Sequence, residues 1–145
     1  MIALPLLLQA SIGVWQSWGA LRDPERCWAV SAPAGRRTGD AFLSISQWPS
    51  RGVRDQLQVR LSRERARGAA VVLAVGDRRF RLAPRGRDAW APDAAGDRAI
   101  LNALRTSRAL AVESRDAAGR RFVDGYALGG APTAIDAARL ACRRE

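Results

Sequence analysis

The sequence predicts a mainly β protein, either a single antiparallel β-sandwich or a partly open β-barrel, with two short helices near the C-terminus. Many short runs with strand character are separated by turn-forming residues, and only two segments have helical periodicity. The chain has 145 residues, 48% of them hydrophobic and 26% charged, which is the size and composition of one folded domain. It contains no internal repeat and no linker, so we assign residues 11–145 to a single β-rich domain.

The predicted strands of the first two thirds of the chain cover residues 12–18, 27–31, 41–48, 56–62, 70–75 and 78–82. The fourth is the clearest, because Leu57, Val59 and Leu61 alternate with polar residues, as in a half-buried strand. The fifth is apolar and rich in β-branched residues. Gly76 and Asp77 then predict a two-residue hairpin turn into the sixth strand.

The last third of the chain contains the helical patterns. Asp93 is a typical helix N-cap, and the helix that it begins extends to about Thr106 with Ile100, Leu101 and Leu104 on one face. Two further strands, residues 109–114 and 120–128, are joined by a turn at residues 116–119. A final helix begins at residues 131–133, since proline is well tolerated in a first helical turn. We expect its buried face to include or adjoin Ile135, Ala138, Leu140 and Cys142.

Tryptophan side chains lie on or beside the predicted strands, where large aromatic residues fill the core or its rim. We therefore expect Trp18, Trp28, Trp48 and Trp90 to pack in the core or at its rim, and the alternative is that tryptophans stack on a sugar or a base. Trp15 and Trp18 are three residues apart, so on one strand they would face opposite ways.

The composition excludes most catalytic sites. The chain has no histidine and only two cysteines, which rules out the usual nucleophile–histidine arrangements and zinc clusters. No serine lies in a GxSxG motif, no phosphate loop is present, and no pair of carboxylates stands out for acid–base chemistry. We expect no enzymatic activity, no cofactor and no metal.

Basic charge is concentrated in one segment. All 24 basic residues are arginine, and the net charge is +10. Eleven arginines and only four acidic residues lie between Arg51 and Asp88, so most of the net charge comes from this segment. If Phe80 and Leu82 face the core and the strands are neighbours in a meander, Arg60, Arg79 and Arg81 form one exposed basic face.

This basic face has two interpretations. Because a guanidinium binds phosphates and carboxylates in a bidentate manner, the face is a candidate anion-binding site at Arg60, Arg79 and Arg81. Its partner would be an anionic lipid, an envelope polysaccharide or an acidic protein surface. The alternative is a solvated face without function, since an arginine- and alanine-rich composition is also typical of a GC-rich genome.

The N-terminal residues 1–10, MIALPLLLQA, are apolar and uncharged. They are too few to cross a membrane as a helix, which needs about 20 apolar residues. A short apolar segment that ends in a small residue predicts a signal peptide and a periplasmic or secreted protein. The alternative is a core strand at the start of a cytoplasmic protein.

Cys27 and Cys142 lie near the two ends of the predicted domain. They could be two buried thiols. In an exported protein, however, a pair of cysteines favours one disulfide, which here would join an early strand to the last helix. Such a long closed loop contributes roughly 4–5 kcal/mol in the chain-entropy description.

The C-terminal third resembles the invasion associated locus B family of bacterial envelope proteins. The resemblance lies in the short helix at residues 100–104, the strand at 109–113, the turn at 116–119 and the segment from Tyr126 to Asp136 that precedes Cys142. The opening Trp18-Gly19-Ala20 before Cys27 is also similar. Ala127 and Ala131 stand where family members commonly have serine and phenylalanine.

The resemblance implies an exported, mainly β, non-enzymatic protein, with the cysteine pair as a structural bridge and with no catalytic residues to transfer. The prediction is therefore an envelope protein that binds an anionic partner. The alternative is a cytoplasmic basic protein associated with nucleic acid. The sequence contains no recognition helix, ribonucleoprotein motif or zinc module, and this disfavours nucleic acid as a partner.

Overall fold

The structure is a computed structural model that describes residues 9–35 and 39–143. In these residues the chain forms ten strands, two helices and a short 3-10 turn. The strands are β1 (Ala10–Trp15), β2 (Trp18–Arg22), β3 (Cys27–Ser31), β4 (Phe42–Trp48), β5 (Val53–Arg60), β6 (Val71–Val75), β7 (Arg78–Arg85), β8 (Asp88–Trp90), β9 (Ala109–Arg115) and β10 (Arg121–Ala127). The helices are α1 (Ala94–Arg105) and α2 (Ala131–Arg143), and the 3-10 turn covers Pro49–Arg51.

All ten strands form one antiparallel sheet in the order β1-β2-β3-β4-β5-β8-β7-β6-β9-β10. The sheet is not closed into a barrel. The predicted mainly β class with two helices near the C-terminus is confirmed, and the antiparallel strands belong to one open sheet.

The inner face of the sheet is the hydrophobic core. Register brings Ala29, Ile45 and Leu57 into one row across β3, β4 and β5, and all three side chains are buried. The same alternation continues through the far half of the sheet, where Leu73 and Val112 are cross-strand partners and also buried. Because side chains alternate between the two faces of a strand, the other set of residues points outward.

Helix α2 packs on β1 to β4. Its buried residues are Ala131, Ala134, Ile135 and Ala138, a spacing that places them on one face of the helix. Leu140 does not belong to this face: it is 57% exposed, so its predicted place on or near the buried side is wrong. The small alanines let the helix approach the sheet closely.

Helix α1 begins where the sequence predicts. The Asp93 carboxylate accepts a hydrogen bond of 2.7 Å from the Gly96 amide, and Ile100, Leu101 and Leu104 are buried. In its first turn, Asp97 accepts a bond of 3.0 Å from the Leu57 amide of β5. The Leu57 amide lies just before the residues of β5 that pair with β8, so Asp97 supplies the partner that β8 does not. The contact anchors the helix to the sheet.

The first predicted strand, residues 12–18, is wrong, because the chain turns within it. Gln16 adopts φ 55°, and Trp15 and Trp18 become cross-strand partners in the β1–β2 hairpin. Trp18 is fully buried in the core, as predicted. Trp28 is nearly buried but lies on the outer face, and Trp15, Trp48 and Trp90 are partly buried.

The curled sheet brings β10 close to the first strands. The Trp18 indole Nε1 donates to the carbonyl oxygen of Ala127 at 2.8 Å, and the Ala34 amide donates to the carbonyl oxygen of Gly125 at 2.7 Å. Just after β10, Gly130 adopts φ 89° and lies against the backbone of Trp15. A glycine is required here, since an ideally placed Cβ would lie 2.8 Å from the Trp15 carbonyl carbon and overlap its oxygen.

Residues 1–8 of the predicted signal peptide lie outside the described residues, and Ala10 begins β1. Across the described part of the chain, neither helix is long and apolar enough to cross a membrane.

Candidate functional site

The outward positions of β7 carry arginine. Arg79, Arg81 and Arg85 are exposed, while Leu82 between them is buried in the core. The alternation predicted for Arg79 and Arg81 is thus present, and Arg85 extends it along the same face.

Two more outward arginines come from the β9–β10 hairpin. Arg115 and Arg121 are cross-strand partners and both are exposed. Through β6, Val72 lies opposite Arg81 on one side and Glu113 on the other, so the outward faces of all four strands are continuous. We call Arg79, Arg81, Arg85, Arg115 and Arg121 the arginine face.

Glu113 is the acidic side chain at the centre of the arginine face. Its Oε1 is 2.8 Å from Arg79 Nη2 and 3.9 Å from Arg121 Nη2. The hydrogen bond to this carboxylate raises the pKa of the Arg79 guanidinium. Among the described residues, the side chains of Arg81 and Arg85 make no hydrogen bond or ion pair. Their donors are therefore available to a ligand.

Arg60 lies on the same outer face but does not join this group. The sequence placed its strand next to that of Arg79 and Arg81, which is wrong, because β8 lies between β5 and β7. Arg60 and Arg85 are both cross-strand partners of Asp88. Arg60 is held by Asp88 at 3.3 Å and by Asp40 at 3.6 Å, so its charge is already paired within the fold.

Several other arginines of the basic segment have structural contacts. Arg63 pairs with Asp116 at 3.0 Å, and Arg87 pairs with Asp40 at 2.9 Å. Arg65 donates to the carbonyl oxygen of Ala69 at 2.9 Å. The concentration of arginine in the sequence thus overstates the charge that is free to bind.

The sequence prediction missed Arg115 and Arg121. The signal was present: both flank the predicted turn at residues 116–119, and each is next to a buried residue, Ser114 or Phe122. The sequence alone does not reveal that β6 pairs with β9, and this pairing brings the hairpin to the side of β6 opposite β7.

A second cluster of charged residues surrounds the disulfide. Cys27 of β3 and Cys142 of α2 form the predicted bridge, with their Cα atoms 5.9 Å apart. Cys142 lines two cavities of about 310 Å³ and about 520 Å³. The larger cavity also contains Arg54, Asp55 and Arg139.

Asp55 joins α2 to the sheet beside this disulfide. Its two carboxylate oxygens accept hydrogen bonds from Arg139 Nε and Nη2, both at 2.9 Å, and Oδ1 also accepts from Gln47 Nε2 at 2.8 Å. Burial raises the pKa of the Asp55 carboxyl, but these donors outweigh burial and the pKa lies below its ordinary value. The pair therefore serves the fold.

We expect Asp55→Asn to lower the free energy of unfolding by about 1.5–3 kcal/mol at neutral pH. Asparagine tolerates the φ of 55° at this position, so the backbone is unaffected. Folding lowers the pKa of the Asp55 carboxyl. The carboxylate therefore stabilises the fold at pH values above its pKa in the unfolded chain, which is about 4, and this stabilisation is lost as the pH falls. Urea unfolding across this range should show the gap to the wild type closing in acid.

The matched control is the same substitution in an Arg139→Gln background, where Asp55→Asn should cost much less. A gap that is independent of pH, or an equal cost in both backgrounds, would show that the ion pair contributes nothing.

Arginine and tryptophan side chains stack on the outer face near the same disulfide. The Arg26 guanidinium lies 4.0 Å from the ring centroid of Trp28 and 5.1 Å from that of Trp48, and Arg51 lies 4.2 Å from the Trp48 centroid. Burial lowers the pKa of Arg26. The guanidinium groups therefore cover the aromatic surfaces that a sugar ring would otherwise contact.

Within residues 9–35 and 39–143, no cluster of three or more histidine, cysteine, aspartate or glutamate side chains is placed to hold a metal ion. In the arginine face, Arg79 and Arg121 contact Glu113 and Arg115 donates to the carbonyl oxygen of Gly119 at 3.0 Å, so Arg81 and Arg85 supply its free guanidinium groups. Comparison of the chain with protein-family models, with curated protein sequences and with solved structures finds no match.

Proposed function

We propose that the chain is an exported, non-enzymatic envelope protein, related to the invasion associated locus B family, that binds an anionic partner through the arginine face. One observation carries the proposal: five exposed arginines share one outer face of the sheet with a single acidic residue, Glu113, among the outward residues of β6, β7, β9 and β10. Their guanidinium groups suit phosphate and carboxylate groups.

The Cys27–Cys142 disulfide is compatible with the proposed location, since disulfides persist in the periplasm and outside the cell. Leu82 of β7 is buried in the core on the inner face of the sheet. This packing anchors β7 while the arginines of the same strand point outward, which is consistent with the proposed site.

The test is binding of the oxidised protein to inorganic polyphosphate, a soluble polyanion, at increasing salt. We expect Arg81→Ser with Arg85→Ser to weaken binding at least tenfold and to flatten its salt dependence, because two ionic contacts are removed. Arg54→Ser with Arg98→Ser is the matched control: it removes the same charge from two exposed arginines outside the arginine face.

Equal losses in the two double variants would mean that only net charge matters, and they would overturn the proposed site. Binding that does not respond to salt would overturn the ionic mechanism itself.

A further inference from the structure

We infer that the partner of the arginine face is the surface of a phospholipid bilayer that contains anionic lipid. The inference rests on the proposed function and specifies its ligand. It comes from the residues that lie between the arginines. Val72, Ala74 and Ala111 form a floor of small apolar side chains, and Val123 at the edge of the sheet is 56% exposed.

The chemistry of this surface matches a bilayer better than a soluble polymer. Besides the arginines and Glu113, the outward positions of β6, β7, β9 and β10 hold only alanine, valine and glycine. No outward aromatic, amide or hydroxyl side chain is present on these four strands to stack on a sugar or to hydrogen-bond its hydroxyls. Anionic phosphates above an apolar layer fit arginine heads around an apolar floor.

The geometry of the face also suits a planar partner. Two of the floor residues, Ala74 and Ala111, are cross-strand partners, and Gly125 lies opposite Ala111 on β10. Short side chains in this row leave the long arginine side chains as the projecting groups. An arginine can keep its stem on the apolar floor while its guanidinium reaches a lipid phosphate.

The negative charge of Glu113 disfavours docking to an anionic surface, so a substitution of Glu113 tests the inference directly. Its carboxylate holds Arg79 in the free protein and would face the anionic surface on binding. Glu113→Gln should therefore tighten vesicle binding several-fold, since removal of one negative charge near an anionic membrane is favourable.

The experiment is co-sedimentation of the oxidised protein with vesicles of equal parts phosphatidylglycerol and phosphatidylcholine, with pure phosphatidylcholine vesicles alongside. We expect binding to the anionic vesicles alone. Val123→Asn should weaken it about fivefold, because a half-exposed valine loses its apolar contact. Val14→Asn is the matched control, since Val14 is 71% exposed on β1 and does not belong to the arginine face or its apolar floor, and it should leave binding unchanged.

Polyphosphate separates this inference from the proposed function. If Val123→Asn leaves the vesicle affinity unchanged, or weakens polyphosphate binding as much, the lipid inference is overturned while salt-sensitive polyphosphate binding at Arg81 and Arg85 upholds the proposed function. If the arginine double variant affects neither probe, both are overturned. Weakened vesicle binding with unchanged polyphosphate binding in Val123→Asn supports the bilayer as the partner.

Discussion

Replacing both Cys27 and Cys142 by alanine is expected to lower the free energy of unfolding by about 4–5 kcal/mol, the largest single effect that the structure predicts. The two cysteines are 115 positions apart in the chain, so their cross-link removes a large part of the conformational freedom of the unfolded state. It also holds the last turn of α2 to β3. Denaturant unfolding followed by tryptophan fluorescence measures the loss.

Reduced wild-type protein is the matched control for this variant. It keeps both sulfur atoms in place and loses only the bond, so it separates the cross-link from the packing of Cys27, which is 1% exposed. Reduction should destabilise the wild type and leave the double variant unchanged. If reduced and oxidised wild type unfold at the same denaturant concentration, the expected stabilisation is refuted.

Gly130→Ala is expected to destabilise the protein by about 2–5 kcal/mol. The residue has φ 89°, where a side chain costs about 1–2 kcal/mol. A Cβ would also collide with the backbone of Trp15, and forcing that backbone away costs about 1–3 kcal/mol more. The chain passes this point between β10 and α2, so the collision would separate the start of α2 from the first hairpin.

Gly119→Ala provides the comparison, because Gly119 has a similar φ of 83° with no atom within 4 Å of an added Cβ. It should cost only the backbone term of about 1–2 kcal/mol. The difference between the two variants, measured by thermal or urea unfolding, reports the close approach of Gly130 to Trp15. Equal effects would mean that Trp15 moves aside without cost.

The parts of the fold that the sequence predicts well depend on neighbouring residues. Asp93 caps α1 through the Gly96 amide, and Gly76 with Asp77 turns β6 into β7. Asp116 accepts hydrogen bonds from the Ala118 and Arg120 amides within its own turn. Each of these signals comes from the local chemistry of the backbone, so a few residues suffice to reveal it.

The predictions are wrong where the local conformation depends on contacts with residues far away in the sequence, or where the local sequence signal is weak. Gln16 takes a positive φ without being glycine or asparagine, so the β1–β2 turn has no typical sequence signal. Strand β8 has three residues, too few for alternation to be recognised. Leu140 is apolar but lies outside the helix face defined by Ala134, Ile135 and Ala138.

In the candidate site, too, local signals were predicted correctly and long-range contacts were not. Alternation along one strand correctly placed Arg79 and Arg81 outward, but the insertion of β8 and the pairing of Arg60 with Asp40 and Asp88 depend on residues far away in the sequence. The contribution of Arg115 likewise depends on the β6–β9 pairing. Charge content alone does not tell a guanidinium that stabilises the fold from one that is free to bind.

The position of the disulfide also bears on how the protein matures. Strands β4 to β10 and most of α2 lie between Cys27 and Cys142 in the sequence. The Cys27 thiol therefore has no partner for a disulfide within the chain until this whole stretch has been synthesised. The native bond therefore forms only when the folding of the intervening chain has placed α2 on β3.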